Sequence, residues 1–221
     1  MSRTEAGTLL AVAHRAGNDL GNLRAALDAG VDLIETDVGL FRGTLEVRHL
    51  RTLGRHLLWD RSGLARRRVL TLPTLREVLV AMNGDARLMI DLKDPSPELA
   101  RRVAALLREV APGVPVTVCT KAWPQLAEFD ADPHVRRVLS VSNQAALRRL
   151  RARLRERPEY GVSIRLRLLT PEVVAELRGS AEHVLVWAVD TPDALARARR
   201  LGVTGVIGKD LALLRQVGSA R

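Results

Sequence analysis

Eight short apolar or β-branched runs recur along the chain, at residues 9–14, 32–38, 87–93, 114–120, 136–142, 161–167, 183–189 and 202–208. Between them lie longer stretches with apolar residues at helical spacing, such as NLRAALDAG, TLREVLVAMNG and PELARRVAALLREV. Several open on Thr, Pro or Asn and close on Gly, the residues that cap helices. A strand joined to the next through a helix pairs with it in parallel, and both faces of the sheet are then covered. Eight such units predict a closed (β/α)8 TIM barrel, and 221 residues lies near the lower end of that fold's usual size. The rival, a doubly wound open sheet, rarely uses eight equivalent strands, and the chain lacks a glycine-rich nucleotide loop. No linker-like composition interrupts the pattern, so residues 1–221 read as a single domain.

The formal net charge of +10 raises nucleic acid as a partner. Two features argue against it. The basic residues are nearly all arginine, with Lys93, Lys121 and Lys209 the only lysines, in a chain rich in Ala, Leu and Val, as GC-rich codons would produce. Aromatic residues make up 3%, too few to stack on bases. The charge is better used on a small anionic substrate. Cys119 is the single cysteine, which excludes an intrachain disulfide and a cysteine-based metal cluster. With no long apolar run and no secretory pattern, the expectation is a soluble, cytoplasmic protein without a transmembrane segment.

Barrel enzymes carry their chemistry at the C-terminal ends of the strands. There the runs offer His14-Arg15, Glu35 with Asp37, Asp91 with Lys93, Thr120-Lys121, Arg165 with Arg167, Trp187 and Lys209. Side chains alternate along a strand, so Glu35 and Asp37 point the same way, and the two carboxylates repel unless a cation sits between them. Asp91 adds a third acid from the next strand. Three carboxylates without a thiol favour one hard divalent ion, Mg²⁺ or Ca²⁺, completed by water and substrate oxygens. The alternative is that these acids pair with rim arginines. His14 and His49 bracket the cluster, beside Arg15 and Lys93, as a general acid–base pair around a phosphate would. His56, His134 and His183 lack that setting and read as surface or core residues.

The order His14-Arg15, Glu35-x-Asp37, His49 resembles the HR…ExD…H signature of the glycerophosphodiester phosphodiesterase family. LTLPTLREVL (70–79) is similar to the family's IPTLEEVL segment, LMIDLK (88–93) to its IEIK strand with Asp91 replacing a metal-binding Glu, and residues 184–210 to its closing segment. The resemblance implies a (β/α)8 barrel that binds one divalent cation and hydrolyses glycerophosphodiesters to glycerol 3-phosphate and an alcohol. It implies Glu35, Asp37 and Asp91 as metal ligands, His14 and His49 as general acid and base, and Arg15 and Lys93 on the phosphate. Trp187 would line the pocket, with Asn22, Lys121 and Lys209 as further pocket residues. The chain departs from the family at Gly21-Asn22-Leu23, which stands for PENT, at Leu50, which stands for Asp, and at Gly208-Lys209, which stands for Thr-Asp. The insertion after the second strand is shortened to about twenty residues, which predicts an open mouth. Asp91-Leu92-Lys93 also resembles the sphingomyelinase D and lysophospholipase D barrels, which form a cyclic phosphate. A phospholipase D-like activity on lysolipids, or a non-catalytic barrel that binds phosphorylated ligands, are the alternatives.

Overall fold

The computed structural model describes residues 9–60 and 63–218. Eight parallel strands form the barrel: β1 (Leu10–Ala13), β2 (Leu33–Phe41), β7 (Leu88–Leu92), β8 (Val116–Thr120), β9 (Val135–Val141), β10 (Glu159–Arg165), β11 (Ala181–Trp187) and β12 (Gly205–Gly208). Each pairs with the next, and β1 pairs with both β12 and β2, so the sheet closes on itself. The remaining strands lie between β2 and β7. β3 (Thr44–Val47) is the antiparallel return of β2, and β4 (Arg51–Leu53), β5 (Leu57–Asp60) and β6 (Gly63–Arg66) form a separate three-stranded antiparallel sheet. The short insertion is thus a folded cap.

Among the described residues, seven α-helices flank the barrel: α1 (Leu20–Asp28), α2 (Leu75–Met82), α3 (Pro97–Val110), α4 (Gln144–Glu156), α5 (Pro171–Arg178), α6 (Pro192–Leu201) and α7 (Leu211–Gly218). Thr74, Asn143, Thr170 and Thr191 accept hydrogen bonds from backbone N–H groups of the first turns they precede, as the sequence predicts, and Ser96 does the same ahead of Pro97. One unit differs from expectation. A 3-10 helix, Trp123–Phe129, stands between β8 and β9 where a regular helix would. β10 also stops at Arg165, which leaves Arg167 exposed in a 3-10 turn.

Alternation along the strands divides the core in two. One set of side chains packs between sheet and helices, and a second, Val12, Met89, Cys119, Val138, Leu185 and Ile207, fills the barrel interior. Met89 and Asp91 are two residues apart on β7 and so share the inward face. The register pairs Met89 with Glu35 and Asp91 with Asp37. Asp37 and Asp91 therefore stand one step above the apolar plug toward the C-terminal rim, with Glu35 level with Met89. Among the described residues, no helix is long and apolar enough to cross a membrane.

Candidate active site

Glu35, Asp37 and Asp91 are 4%, 0% and 8% exposed, and each offers an oxygen within 4.8 Å of the others. The Lys93 ammonium lies among them. It is in contact with Asp91 Oδ2 and Asp37 Oδ1 and 3.9 Å from Glu35 Oε1. Burial pushes the Glu35 carboxyl well above the ordinary value, and the charges of Asp37 and Asp91 push the same way. Burial acts on Asp37 too, but there the Lys93 charge and hydrogen bonds from His49, Lys93 and Asn18 win, and its pKa is held well below the ordinary carboxylate range. For Lys93, burial disfavours the ammonium, and the charges of Asp91, Asp37 and Glu35 outweigh it and raise the value. Two carboxylates of opposite tendency on one strand mark a site that wants positive charge between them.

The loop after β1 shapes the other wall. Arg15 adopts a left-handed conformation (φ 59°), which turns its backbone N–H onto Glu35 Oε2 at 2.6 Å. Gly17 follows where a Cβ would lie 2.8 Å from Thr36 Cβ, so only glycine lets this loop approach β2. The Arg15 guanidinium lies 3.4 Å from Asp37 Oδ2 and 2.7 Å from His49 Nε2. An arginine N–H can only donate, so Nε2 is the acceptor. The ring hydrogen then sits on Nδ1, which faces Asp37 Oδ2 at 3.3 Å. His49 reaches this position because β3 returns antiparallel to β2. Buried Arg48 braces the return on Glu46 Oε2 (2.9 Å) and Asp94 Oδ2 (3.6 Å).

His14 follows β1 directly, and its N–H bonds to the Gly208 carbonyl at 2.7 Å. Its Nδ1 is buried and finds no hydrogen-bond partner among the described residues. Burial and the Arg15 charge lower its pKa to about 3, with Lys93 and Lys209 adding to the effect and Asp37 opposing it. Lys209 is thus close enough for its charge to act on His14, while its own N–H bonds to Asp190 Oδ1 at 2.7 Å. On the far side, half-buried Trp187 is flanked by two cations, with Lys121 Nζ 5.6 Å and Arg165 Cζ 5.8 Å from the ring centroid. Desolvation, then the Lys93 charge, lower the Lys121 ammonium, and Arg51 of the cap adds to this.

Of the residues singled out in the sequence, the structure brings His14, Arg15, Glu35, Asp37, His49, Asp91 and Lys93 into one cluster, with Lys121, Trp187 and Lys209 around the mouth. Asn22 is different. It is exposed in the first turn of α1, where its N–H bonds to the capping Asp19. Asn18 is the asparagine that enters the cluster: its Nδ2 donates to Asp37 Oδ2 at 2.8 Å, and its Oδ1 accepts from the Asp37 N–H at 2.7 Å. Sequence reasoning missed Asn18 and Arg48. The available signal for Asn18 was its place four residues after His14, within reach of the same rim. Lys93, expected on a substrate phosphate, lies among the three acids.

The parallel barrel gathers carboxylates, histidines and cations at its C-terminal rim, the end at which barrel enzymes carry their sites. No protein-family model and no curated protein sequence matches the chain. Solved structures do match. A Silicibacter pomeroyi protein assigned as a glycerophosphoryl diester phosphodiesterase superposes with a TM-score of 0.78 at 18% identity, covering 97% of this chain and 94% of that one. An Oleispira antarctica phosphodiesterase, solved with the product sn-glycerol-3-phosphate, gives 0.73 at 18%, covering 96% of each. A Thermotoga maritima glycerophosphodiester phosphodiesterase gives 0.73 at 18%, covering 97% of this chain and 100% of that one. The fold is therefore the barrel of the glycerophosphodiester phosphodiesterases, along nearly the whole chain.

Proposed function

We propose that the protein is a metal-dependent phosphodiesterase that hydrolyses glycerophosphodiesters to glycerol 3-phosphate and an alcohol. The observation that carries this reading is the convergence of Glu35, Asp37 and Asp91 beneath two histidines and an arginine, in a barrel of this fold. The donor set fits a hard divalent cation. It is all oxygen, it is buried, and its centre already draws the chain's own ammonium, Lys93. Mg²⁺ or Ca²⁺ held by the three acids would polarise the phosphoryl oxygens and offset the charge that builds on them.

The rest falls to the side chains. The Arg15 guanidinium, already at the edge of the cluster, pairs with the phosphate. Its departure from His49 frees Nε2 toward the substrate, while Asp37 holds the Nδ1–H side of the ring. His14 and His49 carry the two proton transfers. One takes the proton of the attacking hydroxyl and the other protonates the leaving oxygen. Trp187 borders the organic part of the substrate, and Lys209 adds attraction for the anion. A lysophospholipase D-like reaction is the second reading, favoured by exposed apolar residues of the cap beside the mouth.

Purified protein with and without EDTA, given glycerophosphocholine, glycerophosphoethanolamine, glycerophosphoglycerol, lysophosphatidylcholine and bis-p-nitrophenyl phosphate, tests both. EDTA-sensitive release of glycerol 3-phosphate is the expected result, and a cyclic phosphate in the ³¹P spectrum would select the second reading. Absence of turnover on every substrate, with Mg²⁺ or Ca²⁺ supplied, would overturn both.

A further inference from the structure

Six large hydrophobic side chains are exposed among the described residues, and four of them, Leu53, Trp59, Leu64 and Val69, fall in or just after the cap. The sheet register gathers three of these on one face. Arg51 pairs with Trp59 and Trp59 with Leu64, while Leu53 pairs with Leu57 and Leu57 with Arg66. Directly paired residues point to the same side of a sheet. The two rows therefore make one face of Leu53, Leu57, Trp59 and Leu64, with Arg51 and Arg66 at its edges. The alternate row, Thr52–Leu58–Ala65, takes the opposite face, and Leu58 there is fully buried. The cap is thus turned with its polar-poor, arginine-edged face outward. Leu53, Trp59 and Leu64 are 51%, 39% and 62% exposed.

Charge decides what covers this face. Residues 51–69 hold six arginines against a single acid, Asp60. Arg55, Arg66 and Arg68 line a cavity of about 400 Å³ that opens beside the apolar rows. A second copy of the chain would bring like charges together. A nucleic acid would use the arginines and leave Leu53 and Leu64 without a partner. An anionic phospholipid surface uses both: leucines enter the acyl boundary, the Trp ring sits at headgroup level, and arginines reach the phosphates. Arg51 acts electrostatically on Lys121 at the barrel mouth, so the face adjoins the candidate active site.

We propose that the outer face of the β4–β6 cap docks the protein onto anionic phospholipid bilayers. This stands on the cap alone and does not depend on the phosphodiesterase reading.

Co-sedimentation of the full chain with vesicles of equal parts phosphatidylglycerol and phosphatidylcholine, against vesicles of phosphatidylcholine alone, tests it. The wild type should pellet with the anionic vesicles and be released as salt rises to roughly 0.5 M. Leu53→Ser with Leu64→Ser should weaken partitioning about tenfold or more. Arg66→Glu and Arg68→Glu should each weaken it by about fivefold or more. Wild-type tryptophan emission should shift to the blue on binding, and Trp59→Phe should remove the shift, since Trp123 and Trp187 lie elsewhere. All these residues are surface positions, so an unchanged circular dichroism melt confirms that the variants fold. The proposal is overturned by failure of the wild type to pellet, by pelleting that ignores lipid charge, or by full binding of the Leu53→Ser, Leu64→Ser variant. A dimer in sedimentation velocity that the same double variant dissolves would also overturn it, and would assign the face to self-association.

Discussion

The two flanks of the barrel mouth hold their charges by opposite means. On the flank of β1, β2 and β7, buried acids are held by close, convergent contacts: Asp37 accepts a hydrogen bond from Asn18 and lies against Arg15, His49 and Lys93. On the flank of β8, β10, β11 and β12, Lys121, Arg165 and Lys209 are at least partly solvent-exposed, the first two over the face of Trp187. In a low-dielectric cluster a displaced group costs several kcal/mol, so geometry is fixed there. Over the exposed flank, water and salt screen each charge, and what remains is attraction at a distance. On the proposed function, the first flank would serve chemistry and the second capture.

The comparison breaks first at the histidines. His14→Ala and His49→Ala should each lower kcat by roughly 10²- to 10⁴-fold, while His56→Ala, exposed on the cap, should change little. Equal losses at all three positions would report misfolding and erase the contrast.

The acids sharpen it. Glu35→Ala and Asp37→Ala should both abolish divalent-ion binding by calorimetry. Their stabilities in EDTA should diverge. Glu35→Ala relieves a buried, like-charged neighbour and should leave the melting temperature level or higher. Asp37→Ala strands the Lys93 ammonium and Asn18 and should cost about 3 kcal/mol. Equal melting temperatures would mean that Asp37 is not the pivot of this flank.

His14 gives a pH signature in metal-free protein. Its folded pKa, lowered to about 3, lies below the unfolded value, so between that value and about pH 6.5 the unfolded chain takes up a proton that the folded chain refuses. Stability should therefore fall as pH drops through this window, and His14→Gln should fall less in urea titrations. Parallel losses in both proteins would show that His14 is solvated.

The smallest effect belongs to the capture flank. Lys209→Glu should raise KM for anionic diesters several-fold, with the gap closing over the ionic strengths at which the screening length falls below about 10 Å. Metal affinity should hold. Salt titrations of kcat/KM that coincide for the two proteins would place Lys209 away from the substrate's path.

The barrel was legible because its strands are buried on both faces and read as short apolar runs, and the three acids because alternation and strand register are local rules. What stayed hidden depends on loops. Nothing in the spacing says that Arg15 takes a left-handed turn, so Asn18 rather than Asn22 meets Asp37. Nor does the pattern say that Arg48 is buried between two acids to hold the β2–β3 return, or that Lys93 reaches back over Asp91. The cap read only as a shortened insertion, without strands, since its apolar face, exposed rather than packed, lacks the alternation of a half-buried strand. The 3-10 stretch at Trp123–Phe129 went unseen because Pro124 at its start is as good a signal for a regular helix.

β2 is nine residues long and runs on past the barrel into its return. With its neighbours it gathers His14, Arg15, Asn18, Glu35, Asp37, His49, Asp91 and Lys93 into a single contiguous stretch, residues 14–93. The proposed reactive apparatus is therefore encoded as one cassette, and the later strand ends and loops that hold Lys121, Trp187 and Lys209 as another. A crossover in the turn after Lys93 would recombine the two, so a library of later halves could vary what the mouth admits while the proposed catalytic cluster travels intact.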